Sequence, residues 1–174
     1  MERKHKEIGV IELGEDVIVS DPSYEPNLWC NKHLKVKPGK YTVDLWEPDN
    51  SFEGNILVIT HESYPGLTIP RDLVNSVQLG IDSGQVGIYD LRDYQNNDVL
   101  DQLEKDGVLK EYPEFLYGWY AYACTNGSSN TKLVGRGVTC ASGYGDGVAT
   151  LHYKENGQGE IVRIAVNFGD EDEL

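Results

Sequence analysis

The run KLVGRGVTCASGYGDGVATLHYKENGQGEIVRIAVNF, residues 132–168, decides the fold. Its three stretches KLVGRGVTCAS, GVATLHYKE and EIVRIAVNF are rich in β-branched and apolar residues that alternate with polar ones, the pattern of strands with one buried face. Glycine-rich bends, SGYGDG and NGQG, separate the stretches. Together they predict a C-terminal three-stranded antiparallel meander, with Ile161, Ile164, Val166 and Phe168 of the last strand facing the core.

Upstream the same texture continues. EIGVIEL and VIVS flank Gly14-Glu15-Asp16, and LKV and YTVDLW flank KPGK, so each pair predicts a hairpin. NILVITH is apolar on both faces in its middle and predicts a central strand, while VQLGI and VGIY border the DSGQ turn. Helix is expected only between. NDVLDQLEKDG offers Asn97 or Asp98 as an N-cap, an apolar face of Val99, Leu100 and Leu103, and Gly107 as a stop. Phe115, Leu116, Trp119, Tyr120 and Ala123 form a second helical stripe, which Gly118 weakens. The expected architecture is α+β: mainly antiparallel sheet built from hairpins and the meander, with a helical insertion around residues 97–125. One domain is expected over residues 1–168, followed by an acidic disordered tail at 169–174.

Composition narrows the function classes. With 15 Lys+Arg against 29 Asp+Glu, the net charge of −14 opposes both a phosphate-gripping surface and attraction to anionic membranes, so neither nucleic acid nor membrane is an expected partner. No apolar run has the length of a membrane span or a signal segment, and a cytoplasmic protein is expected. Cys30, Cys124 and Cys140 show no metal-ligand spacing and no disulfide framework. Cys124 and Cys140 read as small buried hydrophobes, and Cys30 stands in a loop beside Trp29. His5, His33, His61 and His152 are unclustered.

Three loops at strand ends carry the candidate site. In SDPSYEPNLWC, Asp21 suits an Asx-turn, but that turn does not account for Tyr24 and Trp29, two amphipathic rings of the kind that form contact surfaces. In DSGQVGIYD, Gly84 and Gly87 permit close backbone approach while Asp82, Ser83, Gln85, Tyr89 and Asp90 bring hydrogen-bonding groups. In SGYGDG the glycines clear space around Ser142, Tyr144 and Asp146. Should strand order bring the loops to one rim, they form a polar, aromatic-walled cleft.

The order SDPSY, Trp-Cys, PGKY, DSGQVGIYD and SGYGDG is similar to an uncharacterised domain family of bacteria and their phages, over about residues 18–168. The resemblance implies a shared fold and an intracellular role in phage or mobile-element biology, and it brings no settled activity. Ala149 and Thr150, and the insertion DQLEKDGVLKEYPEF, depart from the family pattern.

No HExxH, P-loop, GxSxG or GxGxxG fingerprint occurs, and the serines have no identifiable base, so the reading favours binding over catalysis. The expected function is a non-enzymatic binding protein that holds a small polar or nucleotide-like molecule, such as a host immune signal, in the Gly/Tyr/Asp cleft. No cofactor and no resident metal are expected. Two alternatives stand beside it: a metal-dependent hydrolase using Asp21, Asp82, Asp90 and Asp146, and an acidic immunity or decoy protein that binds a basic protein. Homo-oligomerisation stays open.

Overall fold

The computed structural model describes residues 3–49, 54–65, 75–105, 118–125 and 131–169. Its elements run β1 (Arg3–Leu13), β2 (Asp16–Ser20), β3 (Lys32–Lys35), β4 (Gly39–Pro48), β5 (Ile56–His61), β6 (Asn75–Ile81), β7 (Gln85–Asp90), α1 (Asn97–Lys105), α2 (Trp119–Ala123), β8 (Thr131–Val134), β9 (Gly137–Ala141), β10 (Gly147–Glu155) and β11 (Ile161–Asn167). The strands form two antiparallel sheets, one ordered β1-β4-β5-β11-β10-β6 and the other β3-β2-β7-β9-β8.

Alternation along each strand explains the layering. In β2, Val17 and Val19 join a core shared with Leu13, Val43, Ile59, Leu79 and Ile164 of the other sheet, whereas Ile18 points the opposite way. Val86 and Ile88 of β7 and Val138 and Cys140 of β9 also enter that core, which lies between the sheets. Ile18 and Tyr89 form a second cluster with Tyr94, Leu100, Trp119, Ala123 and Val134, so the two helices cover the outer face of the five-stranded sheet. β5 holds an interior place, and all six of its residues are buried.

Several expected pairings are corrected. β1 pairs with β4, and β2 pairs with β3 and β7, so Gly14-Glu15 links two sheets and closes no hairpin. Likewise β3 and β4, on either side of Pro38, lie in different sheets, as do β6 and β7 on either side of the DSGQ turn. The C-terminal meander is also absent: KLVGRGVTCAS is itself a hairpin, β8 and β9, and the chain then changes sheets through SGYGDG before the hairpin of β10 and β11. The physical reason is burial. Strands with one apolar face gain as much by facing each other across a core as by pairing at their edges, and alternation alone does not separate the two.

The helical part is small. α1 has nine residues and α2 five, and the stretch between them lies outside the described residues, as do Phe115, Leu116 and the tail beyond Gly169. Gly118 starts α2 rather than weakening it. Its φ is +51°, and a Cβ there would stand 2.1 Å from Asn97 Oδ1, the atom that accepts the Trp119 amide at 2.8 Å.

Gly87 is required for a different reason. The Tyr89 ring folds back over it to reach Thr139 Oγ1 at 2.6 Å, and a Cβ on Gly87 would lie 2.1 Å from the Tyr89 hydroxyl and 2.5 Å from the Val138 carbonyl. Gly87→Ala is therefore expected to cost about 2–3 kcal/mol, a fall in Tm of roughly 4–12 °C by calorimetry. A Tm within a degree of the parent would refute this packing.

Candidate functional site

The three predicted loops do meet, and one side chain joins the first two. Asp21, fully buried at the end of β2, accepts five hydrogen bonds. Its Oδ1 takes the Ser23 amide at 2.8 Å and the hydroxyls of Ser23 and Ser83 at 2.7 Å each. Its Oδ2 takes the amides of Asp82 at 2.8 Å and Ser83 at 2.6 Å. A buried carboxylate is costly unless its lone pairs are filled, and here they are filled by two loops at once. The third loop joins through backbone: the Ser142 amide donates to the Gly84 carbonyl at 2.8 Å, and a Cβ on Gly84 would lie 3.4 Å from Gly145 Cα. The extra glycines of DSGQ and SGYGDG thus allow these loops to touch each other.

The predicted site residues divide by location. Ser142 is buried and its hydroxyl closes its own turn, accepting from the Gly145 and Tyr144 amides and donating to the Gly145 carbonyl. Gln85 is buried and ties β7 to the end of α2, its Oε1 accepting the Thr125 amide at 2.9 Å and its Nε2 donating to Cys124 Sγ at 3.2 Å. Tyr89 is packed edge-on against Trp119 with ring centres 5.1 Å apart. Asp90 is buried under Arg92, which grips it through Nε at 2.8 Å and Nη2 at 2.7 Å, while the Gly14 amide adds a bond at 2.8 Å. Asp93 is likewise buried against the Arg136 guanidinium. The rest reach the surface: Asp82 and Asp146 are exposed, Tyr24 is half-buried, Tyr144 is partly exposed and Trp29 is 88% exposed.

Of these surface residues, Tyr24, Asp82 and Asp146 lie near one another. Burial, and after it the neighbouring Cys30, Asp82, Asp21 and Asp146, push the Tyr24 phenol above the ordinary tyrosine value. The Gly80 amide donates to the Cys30 carbonyl at 3.2 Å, Gly80 pairs with Val148, and the Tyr144 hydroxyl donates to the Val148 carbonyl at 3.0 Å. Of the cysteines, Cys30 and Cys140 are buried and Cys124 is half-buried, so Cys124 is the correction to the sequence reading. All three are free thiols.

Behind Asp21 lies a cavity of about 400 Å³, lined by Pro22, Ser23, Gln95, Asn97, Trp119 and Tyr120. Its volume is that of a small-molecule site. The Tyr94 hydroxyl and Gln95 Nε2 both donate to the Tyr24 carbonyl, at 2.6 and 2.8 Å, and hold the SDPSY loop over the cavity. Burial first, and then the neighbouring Cys124, push the Tyr120 phenol up to about 12, with a hydrogen bond to Ser83 acting the other way. Sequence reasoning left out Gln95 and Asn97 because they precede and open α1, Ser23 because it lies inside the Asx-turn of SDP, and Trp119 and Tyr120 because the rings read as sheet cover. A second cavity, about 510 Å³, lies between α1 and β8, and its two ions, Asp93 and Arg136, are paired with each other.

Among the described residues no group of three or more His, Cys, Asp or Glu could hold a metal ion, and no helix is long and apolar enough to cross a membrane. No family model, curated protein or solved structure matches the chain.

Two predictions follow from the carboxylates. Asp21→Asn places an amide donor against backbone amides and is expected to cost about 3 kcal/mol, a Tm drop of roughly 6–12 °C, whereas Asp82→Asn changes Tm by no more than about 2 °C. Equal effects from both would remove Asp21 from the centre of the loops. For Asp90, burial raises the pKa but the hydrogen bonds from Arg92 and Gly14 outweigh it, and the carboxyl sits below its ordinary value. A depressed carboxyl stabilises the fold above the unfolded pKa of about 3.9 and loses that contribution as pH falls through the folded value. The stability gap between the parent and Asp90→Asn, about 1–2 kcal/mol at pH 7 with Arg92 largely in solvent, is therefore expected to close below about pH 4 in urea titrations. A gap unchanged at pH 3 would refute it.

Proposed function

We propose that this protein binds a small, planar, polar or nucleotide-like molecule in the cavity beside the SDPSY loop and releases it unchanged. The observation that carries the reading is the cavity of about 400 Å³, walled by Tyr120 and Pro22, with the buried Trp119 beneath, and held by loops that the Asp21 carboxylate fastens together. Aromatic walls stack flat ligands, and a wall that is already rigid loses little entropy on binding. Hydrolysis finds less support. Of the four aspartates a metal-dependent reaction would use, Asp21 and Asp90 are buried and engaged by their own loops.

In this reading the chain is one α+β domain over residues 1–168, with 97–125 as its helical insertion and an acidic tail after it. It works in the cytoplasm of a bacterium as a protein of phage or mobile-element origin, where holding a host immune signal would serve counter-defence.

A second reading rests on a separate observation. Trp29 at 88%, Val148 at 52%, Leu28 at 43% and Tyr144 at 43% exposure are large apolar groups on the surface, beside exposed Asp82 and Asp146. Such a patch suits a basic protein partner, whose complex would weaken steeply with salt.

Thermal shift against nucleobases, nucleosides, nucleotides and cyclic dinucleotides tests the first reading. A ligand at about 100 times its Kd is expected to add about 2.7 kcal/mol, mass analysis is expected to recover it intact, and Tyr120→Ala is expected to abolish the shift while Trp29→Ala leaves it. An altered product would make the protein an enzyme, and a flat panel would leave the protein-partner reading.

A further inference from the structure

We infer that the cavity takes an unphosphorylated ligand, a nucleobase or nucleoside, and disfavours the phosphorylated forms; the inference rests on the binding reading above and narrows its ligand class. Glycine-rich loops usually hold phosphate through converging backbone amides. Here those amides are already engaged, three of them by an anion. The Ser23, Asp82 and Ser83 amides point at the Asp21 carboxylate, and the Tyr144 and Gly145 amides point at Ser142 Oγ. Asp21 occupies the place a phosphate would take, and it is covalently part of the chain.

The cavity's own polar atoms agree. Ser23 Oγ donates to Asp21, and Gln95 Nε2 donates to the Pro22 and Tyr24 carbonyls, so on each of these lining side chains the remaining group is an acceptor. Asn97 Oδ1 already accepts the Trp119 amide, which leaves its Nδ2 as a donor. Two acceptors and a donor match the mixed edge of a base and do not match phosphate, which only accepts. None of the six lining residues is charged. Exposed Asp82 stands on the turn fastened to Asp21, in a chain of net charge −14, and repels a second anion.

Isothermal titration of the full chain with the common nucleobases, nucleosides and 5′-monophosphates, at about 20 and 150 mM salt, tests this. The expected result is at least one base or nucleoside that binds about tenfold or more tightly than its monophosphate at low salt. Because the repulsion is screened, the gap should narrow at higher salt. Asp82→Lys, a change on an exposed side chain, is expected to narrow it too without weakening the nucleoside. A monophosphate that binds as tightly as its nucleoside overturns the inference and leaves the binding reading intact. If no base or nucleoside binds, the inference falls, and the binding reading falls with it only when the nucleotides and cyclic dinucleotides of the thermal-shift panel fail as well.

Discussion

The Asp21 carboxylate is the interaction on which the working end of the molecule depends. It sits at the end of a core strand with no access to solvent, and five donors from the first two loops fill its oxygens. The desolvation of a carboxylate is large enough that each loop holds the other in place, since loss of either leaves lone pairs unfilled. The third loop then closes on the second through Ser142 and Gly84. What faces the cavity is set by this arrangement, because Ser23 and Pro22 line it from the residues immediately after Asp21.

Much of the strand content was legible in the sequence, and the pairing was not. Val17, Ile18 and Val19 announce a strand whatever their neighbours are, and NILVITH announces a central one because both its faces are apolar. Gly14-Glu15, Pro38-Gly39 and DSGQ read as hairpin closures because a chain reversal between two strands has the same composition whether the strands bond at their edges or face each other across a core. The distinguishing fact is which face of each strand meets the other, and that is a long-range property. NGQG was read correctly because β10 and β11 both pair and adjoin.

The candidate site divides in the same way. SDP, DSGQ and SGYGDG read as polar loops at strand ends from their glycines and aspartates, their meeting depends on strand order, and in the fold they touch. Their polar groups, however, serve one another: Gln85 and Ser142 fasten loops, Tyr89 packs under Trp119, and Asp90 holds Arg92. The cavity was missed because its residues belong to ordinary patterns. Asn97 reads as a cap for the helix it opens, and it caps α2 instead, twenty-two positions downstream. A capping side chain that serves a distant helix leaves no local trace.

The place of β11 in the larger sheet governs how the protein can be made. β11 lies between β5 and β10, so the half containing β1, β4 and β5 and the half containing β10 and β6 are bonded to each other only through residues 161–167. Until those residues leave the ribosome, β5 presents an unpaired edge with both its faces apolar, the form of strand most prone to join another chain. Synthesis of this protein therefore passes through a stage in which a wholly buried strand is its most exposed liability, and its yield in a cell depends on how briefly that stage lasts.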